Sequence, residues 1–134
     1  LKDVYTVLPF QNHLVTMTVT GENIYDAMEF SYSHAGQTFG GFLQVSGMTV
    51  TYDLSKEAGS RVVSITVDGE EMDRSATYTL VTLDFVASGG DGQKAFDGIP
   101  TENVGMDTLT FGDYLLTLGK IDESTIQGGR QVSV

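Results

Sequence analysis

The sequence predicts an α+β domain with a mixed or antiparallel sheet. Two predicted strands are each followed by a segment whose apolar residues recur at helical spacing, the first directly and the second after a loop. Further short segments alternate apolar and polar residues, as half-buried strands do. Sixteen glycines against two prolines suit many tight turns with positive φ. The 134 residues are enough for one domain with a core, which we expect to span residues 1–134.

The first block of the chain predicts two strands and a helix. Residues 4–8 are apolar and β-branched, which predicts a short strand that Pro9 ends. Residues 15–20 alternate strictly between apolar side chains and threonines, which predicts a half-buried strand. Thr20 can then cap a helix over residues 22–34, because a threonine oxygen accepts hydrogen bonds from amides of the first helical turn.

The middle of the chain predicts further strands. Residues 42–45 are mostly apolar and residues 48–52 alternate after a break, so we expect a meander of two strands. A third alternating segment, residues 63–67, ends at Asp68-Gly69. This dipeptide favours the positive φ angles of a two-residue hairpin turn.

The second block predicts a strand, a glycine-rich loop and a helix. The strand covers residues 78–83 and the loop covers residues 88–92. Thr110 can cap the helix, whose apolar residues recur at one-turn spacing from Phe111 onwards. Gly119 is a suitable C-terminal cap, because glycine adopts the left-handed conformation without strain.

Composition and charge exclude several classes of function. Seven Lys and Arg against 18 Asp and Glu give a net charge of -11, which repels phosphate backbones and anionic lipid headgroups. We therefore expect no nucleic-acid partner. No apolar run approaches the roughly 18 residues of a membrane span. The chain has no cysteine and only two widely separated histidines, so we expect no metal site and no cofactor in this chain.

The segment Asp84–Gly92 (DFVASGGDG) carries the strongest candidate site residues. Phe85 offers a flat apolar face, and Asp91 can accept hydrogen bonds from the vicinal hydroxyls of a sugar. The alternative is that Phe85 belongs to the core and Asp91 only forms a turn. Phe10, between a proline and a polar pair, can leave the core, and the Asn12 amide can both donate and accept. Two exposed aromatic rings on either side of a slot would sandwich a planar base.

Four motifs in order along the chain carry a family resemblance. They are VYTVLPFQN at 4–12, TGENIYDAME at 20–29, GGFLQVSGMTVTYD at 40–53 and TLDFVASGGDG at 82–92. With these motifs the chain resembles the C-terminal, substrate-binding domain of the 5'-nucleotidase family, which includes UDP-sugar hydrolases and 2',3'-cyclic-nucleotide phosphodiesterases. Several matches in one order are far more specific than a lone glycine motif.

The resemblance implies a fold and a set of substrate-binding residues. The fold would be α+β, with two similar βαβ-type units forming mixed sheets with two main helices. The two phenylalanines that clamp the base map to Phe10 and Phe85. The ribose-binding aspartate maps to Asp91, and the base-reading asparagine of some members maps to Asn12. A backbone contact beside the slot maps to Gly40.

Two positions depart from the pattern of the family. Gln11 stands where the usual LPFGN motif has glycine, and Gln93 stands where an aromatic residue usually follows GGDG. Both changes leave the predicted sandwich intact, and both can alter which base fits.

The resemblance also implies parts that this sequence does not contain. Because Leu1 is not an initiator, we expect the chain to be an N-terminally truncated piece of a longer protein. The N-terminal metallophosphoesterase domain of the same parent would be its partner, and would hold divalent metal ions in a dimetal site. An Asn-Gly-Gly-Ile-Arg stretch that normally precedes the LPF motif is missing, and only Lys94 among the cations lies beside a proposed site residue.

The function implied is binding of the base and ribose of a nucleoside or nucleotide substrate. The domain would present nucleoside phosphates to the dimetal site of a two-domain 5'-nucleotidase-type phosphohydrolase, and the isolated chain would be inactive. The family resemblance implies an extracellular, periplasmic or cell-surface location. The alternative is a non-catalytic ligand-binding or adhesion module of a bacterial surface protein, which an acidic, cysteine-free, threonine-rich domain suits equally well.

Overall fold

The computed structural model describes residues 2–134, which form two sheets flanked by helices. The helices are α1 (Lys2–Val7), α2 (Gly21–Ser33), α3 (Asp84–Ala87) and α4 (Asp107–Leu118), with 3₁₀ turns at Gly90–Gly92 and Glu123–Thr125. The strands are β1 (His13–Thr20), β2 (Thr49–Tyr52), β3 (Val62–Val67), β4 (Glu70–Glu71), β5 (Thr77–Leu83), β6 (Glu102–Met106) and β7 (Gln131–Ser133).

Two strand–helix–strand units organise the sheets. The first sheet has the order β5-β1-β6 and is antiparallel, and the second has the order β4-β3-β2-β7. Within the second sheet β2 and β7 run parallel and the other pairs run antiparallel. One unit is β1-α2-β2 and the other is β6-α4-β7, so each unit contributes its first strand to one sheet and its second strand to the other. The predicted α+β class with two similar units is confirmed.

The core lies between helix α2 and the two sheets. The apolar face of β1 is buried against α2, and the side chains of Val50 and Ile65 from the second sheet are fully buried in the same cluster. Tyr25 of α2 also accepts a hydrogen bond at its hydroxyl from the Ile65 amide (2.9 Å). Burial of each such apolar side chain contributes about 1.5–3 kcal/mol before entropy is counted.

Three local signals for capping and turns are confirmed. Thr20 caps α2, since its hydroxyl accepts from the Asn23 amide (3.2 Å) and the Asn23 side chain accepts from the Thr20 amide (3.0 Å). Asp68 and Gly69 have φ angles of 53° and 82° and form the predicted hairpin turn between β3 and β4. Gly119, with a φ of 68°, ends α4.

The predicted strand over residues 4–8 is wrong, because this segment forms helix α1. The Leu8 amide donates to the Val4 carbonyl (2.8 Å), and the Thr6 hydroxyl donates to the Lys2 carbonyl (3.1 Å). Val4 and Leu8 are one helical turn apart, Val4 is buried, and α1 packs against α4. Five β-branched and apolar residues are too few to distinguish the two periodicities, so the tertiary contact decides.

The predicted strand over residues 42–45 is also wrong, and with it the meander. The Leu43 amide donates to the Ser31 hydroxyl (2.8 Å), and the Leu43 carbonyl accepts from the Gln131 side chain (3.3 Å). Side chains of α2 and β7 therefore satisfy backbone groups that a neighbouring strand would otherwise pair with.

The second helix begins earlier than predicted. Its N-cap is Met106 and its first residue is Asp107, three residues before Thr110. The Asp107 carboxylate accepts from the Thr108 amide (2.5 Å) and so satisfies an amide of the first turn from inside the helix. Strands β6 and β7 and the short helices were not predicted.

Candidate functional site

The structure brings all five predicted site residues to one cleft of about 430 Å³. They come from three segments that are far apart in sequence: the turn between α1 and β1, the loop after α2, and the segment after β5. The residues are Phe10, Asn12, Gly40, Phe85 and Asp91. Because the cleft has apolar and polar groups on different segments, it can hold a ligand that presents both kinds of surface.

Of the three phenylalanines that line the cleft, Phe10 and Phe85 are exposed to solvent and Phe42 is half-buried. The exposed fraction of Phe10 is 83%, and that of Phe85 is 46%. Phe10 is therefore outside the core, and Phe85 is held at its edge. A methyl group at Gly90 would lie 2.5 Å from the Phe85 ring, so this glycine makes room for the ring position. Both rings retain apolar surface that a planar ligand can cover.

Asp91 has a turn conformation but an unengaged carboxylate. Its φ of 55° is left-handed, its side chain is exposed, and no hydrogen bond within residues 2–134 involves its carboxylate. The Asp53 carboxylate is different, since it accepts from the Ser55 amide (2.9 Å) and hydroxyl (2.6 Å). These hydrogen bonds lower the pKa of Asp53. Asp91 thus forms a turn with its backbone while its side chain stays available to a ligand.

Asn12 has an anchored backbone and an available amide. Its carbonyl accepts from the Asp107 amide (2.9 Å), and the amide of the next residue, His13, donates to the Asp84 carboxylate (3.1 Å). The Asn12 side chain is half-buried and makes no hydrogen bond within residues 2–134. Gln11 has a φ of 52°, which lies in the left-handed region that glycine adopts without strain.

Gly40 and Gly41 line the cleft, and Gly41 lies against Asp91. A methyl group at Gly41 would lie 2.7 Å from the Asp91 Cβ and 2.6 Å from the Phe39 ring, whereas one at Gly40 would meet nothing within 4 Å. Phe39 in turn stacks on His34 with ring centroids 4.1 Å apart. The aromatic packing behind the loop holds the glycine backbone close to Asp91.

Gln93 lines the cleft, but its amide is engaged with the protein. The side chain is buried, donates to the Ala27 carbonyl (3.3 Å) and accepts from the Ala95 amide (3.1 Å). It therefore joins the cleft to helix α2. That Gln93 or Gln11 alters which base fits stays a prediction.

The cleft has no cationic side chain among its lining residues, and Lys94 lies on a neighbouring surface. In the described part of the chain, no three His, Cys, Asp or Glu side chains come close enough together to hold a metal ion. The dimetal site that the family resemblance implies was expected in a different domain, and the residues described here do not fit such a site. None of the helices in residues 2–134 is long and apolar enough to cross a membrane.

The sequence alone indicated no role for Asp84, although this residue lies inside the motif TLDFVASGGDG at 82–92. The structure places it next to Phe85, where its carboxylate accepts hydrogen bonds from two backbone amides. It also lines an adjoining cleft of about 640 Å³, which shares Asn12 and Phe85 with the predicted one. Since its partner His13 is 71 residues away, no local spacing rule could identify this contact.

Comparison with known proteins finds the same domain in nucleotidases. A family model described as 5'-nucleotidase, C-terminal domain, matches residues 1–98. A snake venom 5'-nucleotidase from Gloydius brevicauda is 35% identical over 131 residues, which cover 90% of this chain and 22% of that protein. The crystal structure of a 5'-nucleotidase precursor from Thermus thermophilus matches with a TM-score of 0.88 and 39% identity, over 98% of this chain and 27% of that one.

A further solved structure shows the breadth of the group. The NAD nucleotidase of Haemophilus influenzae matches with a TM-score of 0.80 and 25% identity, over 99% of this chain and 26% of that one. The chain thus spans between a fifth and a third of the length of these relatives. The structural matches extend beyond residue 98, so the segment with β6, α4 and β7 is part of the shared fold.

Proposed function

This chain belongs to the family of 5'-nucleotidase C-terminal domains, and from that premise we propose that it binds the base and ribose of a nucleoside or nucleotide substrate. The observation that carries the proposal is the single cleft in which two exposed phenylalanines, an available amide and an available carboxylate face the same space. Each of these groups has a counterpart in the chemistry of a nucleoside.

The base would lie between Phe10 and Phe85. An aromatic ring stacked on a nucleobase contributes about 1–3 kcal/mol, largely independent of which base it is. The Asn12 amide offers one donor group and one acceptor, which suits the edge of a base. Because the carbonyl and the amide of the peptide that joins Asn12 to His13 are both hydrogen-bonded, the Asn12 side chain can be presented without much loss of freedom.

The ribose would be bound by Asp91. A carboxylate can accept hydrogen bonds from both vicinal hydroxyls, and such charge-assisted bonds are about twice as strong as neutral ones. The close approach of Gly41 to Asp91 keeps that turn in place.

The phosphate and the chemistry would be handled by another part of a longer protein. The cleft lacks cationic side chains, and the described residues lack a metal-ligand cluster. We propose that the 134-residue chain is a single substrate-binding domain whose parent carries an N-terminal metallophosphoesterase domain with two divalent metal ions, and that the parent is exported. The venom enzymes among its relatives support the last point.

The test is a comparison of adenosine with 2'-deoxyadenosine by isothermal titration calorimetry. The wild-type chain should prefer adenosine by about 1.5–3 kcal/mol, the net value of a hydrogen bond to a charged group. Asp91→Ala should remove this preference. Asp97→Ala is the matched control, since Asp97 is exposed, carries the same charge and does not line the cleft. An unchanged preference in Asp91→Ala would remove Asp91 from the site.

The same titration separates the proposal from its alternative. If neither nucleoside binds the wild-type chain, the nucleoside site fails. The non-catalytic ligand-binding or adhesion module then becomes the better interpretation.

A further inference from the structure

The carboxylate of Asp84 joins the two walls of the cleft, which are the segment that carries Phe10 and the segment that carries Phe85. Oδ1 of Asp84 accepts hydrogen bonds from the Phe85 amide (2.8 Å) and from the His13 amide (3.1 Å). Its other oxygen, Oδ2, lies 3.7 Å from Nδ1 of His13. Phe85 forms one aromatic wall, and His13 directly follows the turn that carries Phe10 and Asn12. A single side chain therefore connects segments that are 71 residues apart.

The position of Asp84 follows from the end of a β-ladder. Strands β1 and β5 pair in register as far as Leu14 and Leu83, so His13 would be the next residue to face Asp84. Asp84 is instead the first residue of α3, and its backbone no longer follows the strand. Its carboxylate accepts a hydrogen bond from the His13 amide, which a backbone carbonyl would accept if the strand continued. The same oxygen also satisfies an amide of the first turn of α3, which has no partner inside the helix.

A second hydrogen bond, separate from those of Asp84, also holds the wall that carries Asn12. The Asp107 amide, at the start of α4, donates to the Asn12 carbonyl (2.9 Å). The turn before β1 is thus bound to the end of β5 by Asp84 and to the end of β6 by a backbone hydrogen bond. Of these two contacts, only the one through Asp84 also reaches Phe85.

We propose that Asp84 is a positioning residue that sets the separation and orientation of the Phe10 and Phe85 walls. Asp84 lines the adjoining cleft and not the predicted one, so it acts through the backbone of its two partners. The proposal rests on the proposed function for the identity of the ligand, a nucleoside. The joining of the walls by the carboxylate does not depend on that identity.

The test compares Asp84→Ala with Asp84→Asn, with adenosine as the probe. Asparagine retains an oxygen at Oδ1 that can accept from both amides, whereas alanine leaves both without their partner. Asp84→Ala should bind adenosine about tenfold more weakly, which corresponds to the loss of one hydrogen bond of this class. Asp84→Asn should stay within about threefold of the wild-type affinity. Asp53→Ala is the matched control, because Asp53 also accepts a backbone amide but lies outside the cleft.

A second measurement needs no ligand. Amide hydrogen exchange, followed by NMR, should be slow at His13 and Phe85 in the wild-type chain and in Asp84→Asn, and fast at both in Asp84→Ala. In addition, nuclear Overhauser effects that connect the Phe10 and Phe85 rings should change in Asp84→Ala and in no other variant. If the wild-type chain binds no adenosine, the proposed function fails, and the exchange data still decide whether Asp84 joins the walls.

Three outcomes would overturn the positioning role. Adenosine affinity in Asp84→Ala equal to that of the wild type would show that the walls hold without the carboxylate. An equal loss of affinity in Asp84→Asn would show that the charge matters and not the acceptor. Exchange at His13 and Phe85 that is unchanged by Asp84→Ala would show that the hydrogen bonds do not hold this turn.

Discussion

Replacing either Phe10 or Phe85 with alanine should weaken nucleoside binding, but the two substitutions should affect stability unequally. A phenylalanine side chain has roughly 200 Å² of surface. Phe10 is 83% exposed, so only about a sixth of this area is buried, worth about 1 kcal/mol at about 25 cal/mol per Å². Phe85 is 46% exposed, so about half is buried, worth about 2.5 kcal/mol. A fully buried phenylalanine would cost about 3–5 kcal/mol.

Binding should respond differently, since both rings would contact the base. Phe10→Ala and Phe85→Ala should each weaken adenosine binding by about 1–3 kcal/mol, the range for one aromatic stacking face. Urea denaturation followed by circular dichroism gives the free energy of unfolding, and calorimetric titration gives the binding free energy of the same preparations. The affinity must be measured under conditions in which each variant is folded.

Phe111→Ala is the matched control for this comparison. Phe111 lies on α4, outside the cleft, and is 36% exposed, so its loss should destabilise the chain at least as much as the loss of Phe85. It should leave adenosine affinity unchanged. If Phe10→Ala, which hardly affects stability, also leaves the affinity unchanged, the base does not stack on Phe10 and the sandwich is refuted.

Three further predictions concern the turns around the cleft and the acid response. Gln11→Gly should stabilise the chain by about 1 kcal/mol, because glycine adopts the left-handed φ of 52° without strain, and an unchanged urea midpoint would contradict this. Gly90→Ala should weaken adenosine binding, since the added methyl group would meet the Phe85 ring at 2.5 Å, whereas Gly128→Ala has open space and serves as the control for the titration. Hydrogen bonds from Ser55 lower the pKa of Asp53, so its carboxylate stabilises the fold above the unfolded pKa of about 3.9, and this contribution is lost as the pH falls through the folded pKa. The free-energy gap between the wild type and Asp53→Ala in urea denaturation should therefore be largest near neutral pH and shrink below about pH 4, and a gap independent of pH would contradict the assignment.

The parts of the fold that depend on local interactions could be predicted from the sequence. The alternation of residues 15–20 predicted β1, because a period of two is specific when it runs over six residues. Thr20 and Asp68-Gly69 predicted a cap and a hairpin turn, since both depend on residues within one turn of each other. The five candidate site residues were predicted from four motifs in one order and from two phenylalanines that were expected to be exposed. The structure places all five in one cleft.

The parts of the fold that depend on distant partners could not be predicted from the sequence. Residues 2–7 form a helix because Val4 is buried and α1 packs against α4, and residues 42–45 remain a loop because Ser31 and Gln131 bind their backbone. Strand β6 pairs with β1, which begins 89 residues earlier, so no pattern inside Glu102–Met106 could reveal it. The link from Asp84 to His13 spans 71 residues and has the same origin. Hydrogen bonds and burial are satisfied by whatever lies nearby in space, and the sequence within one window does not contain that information.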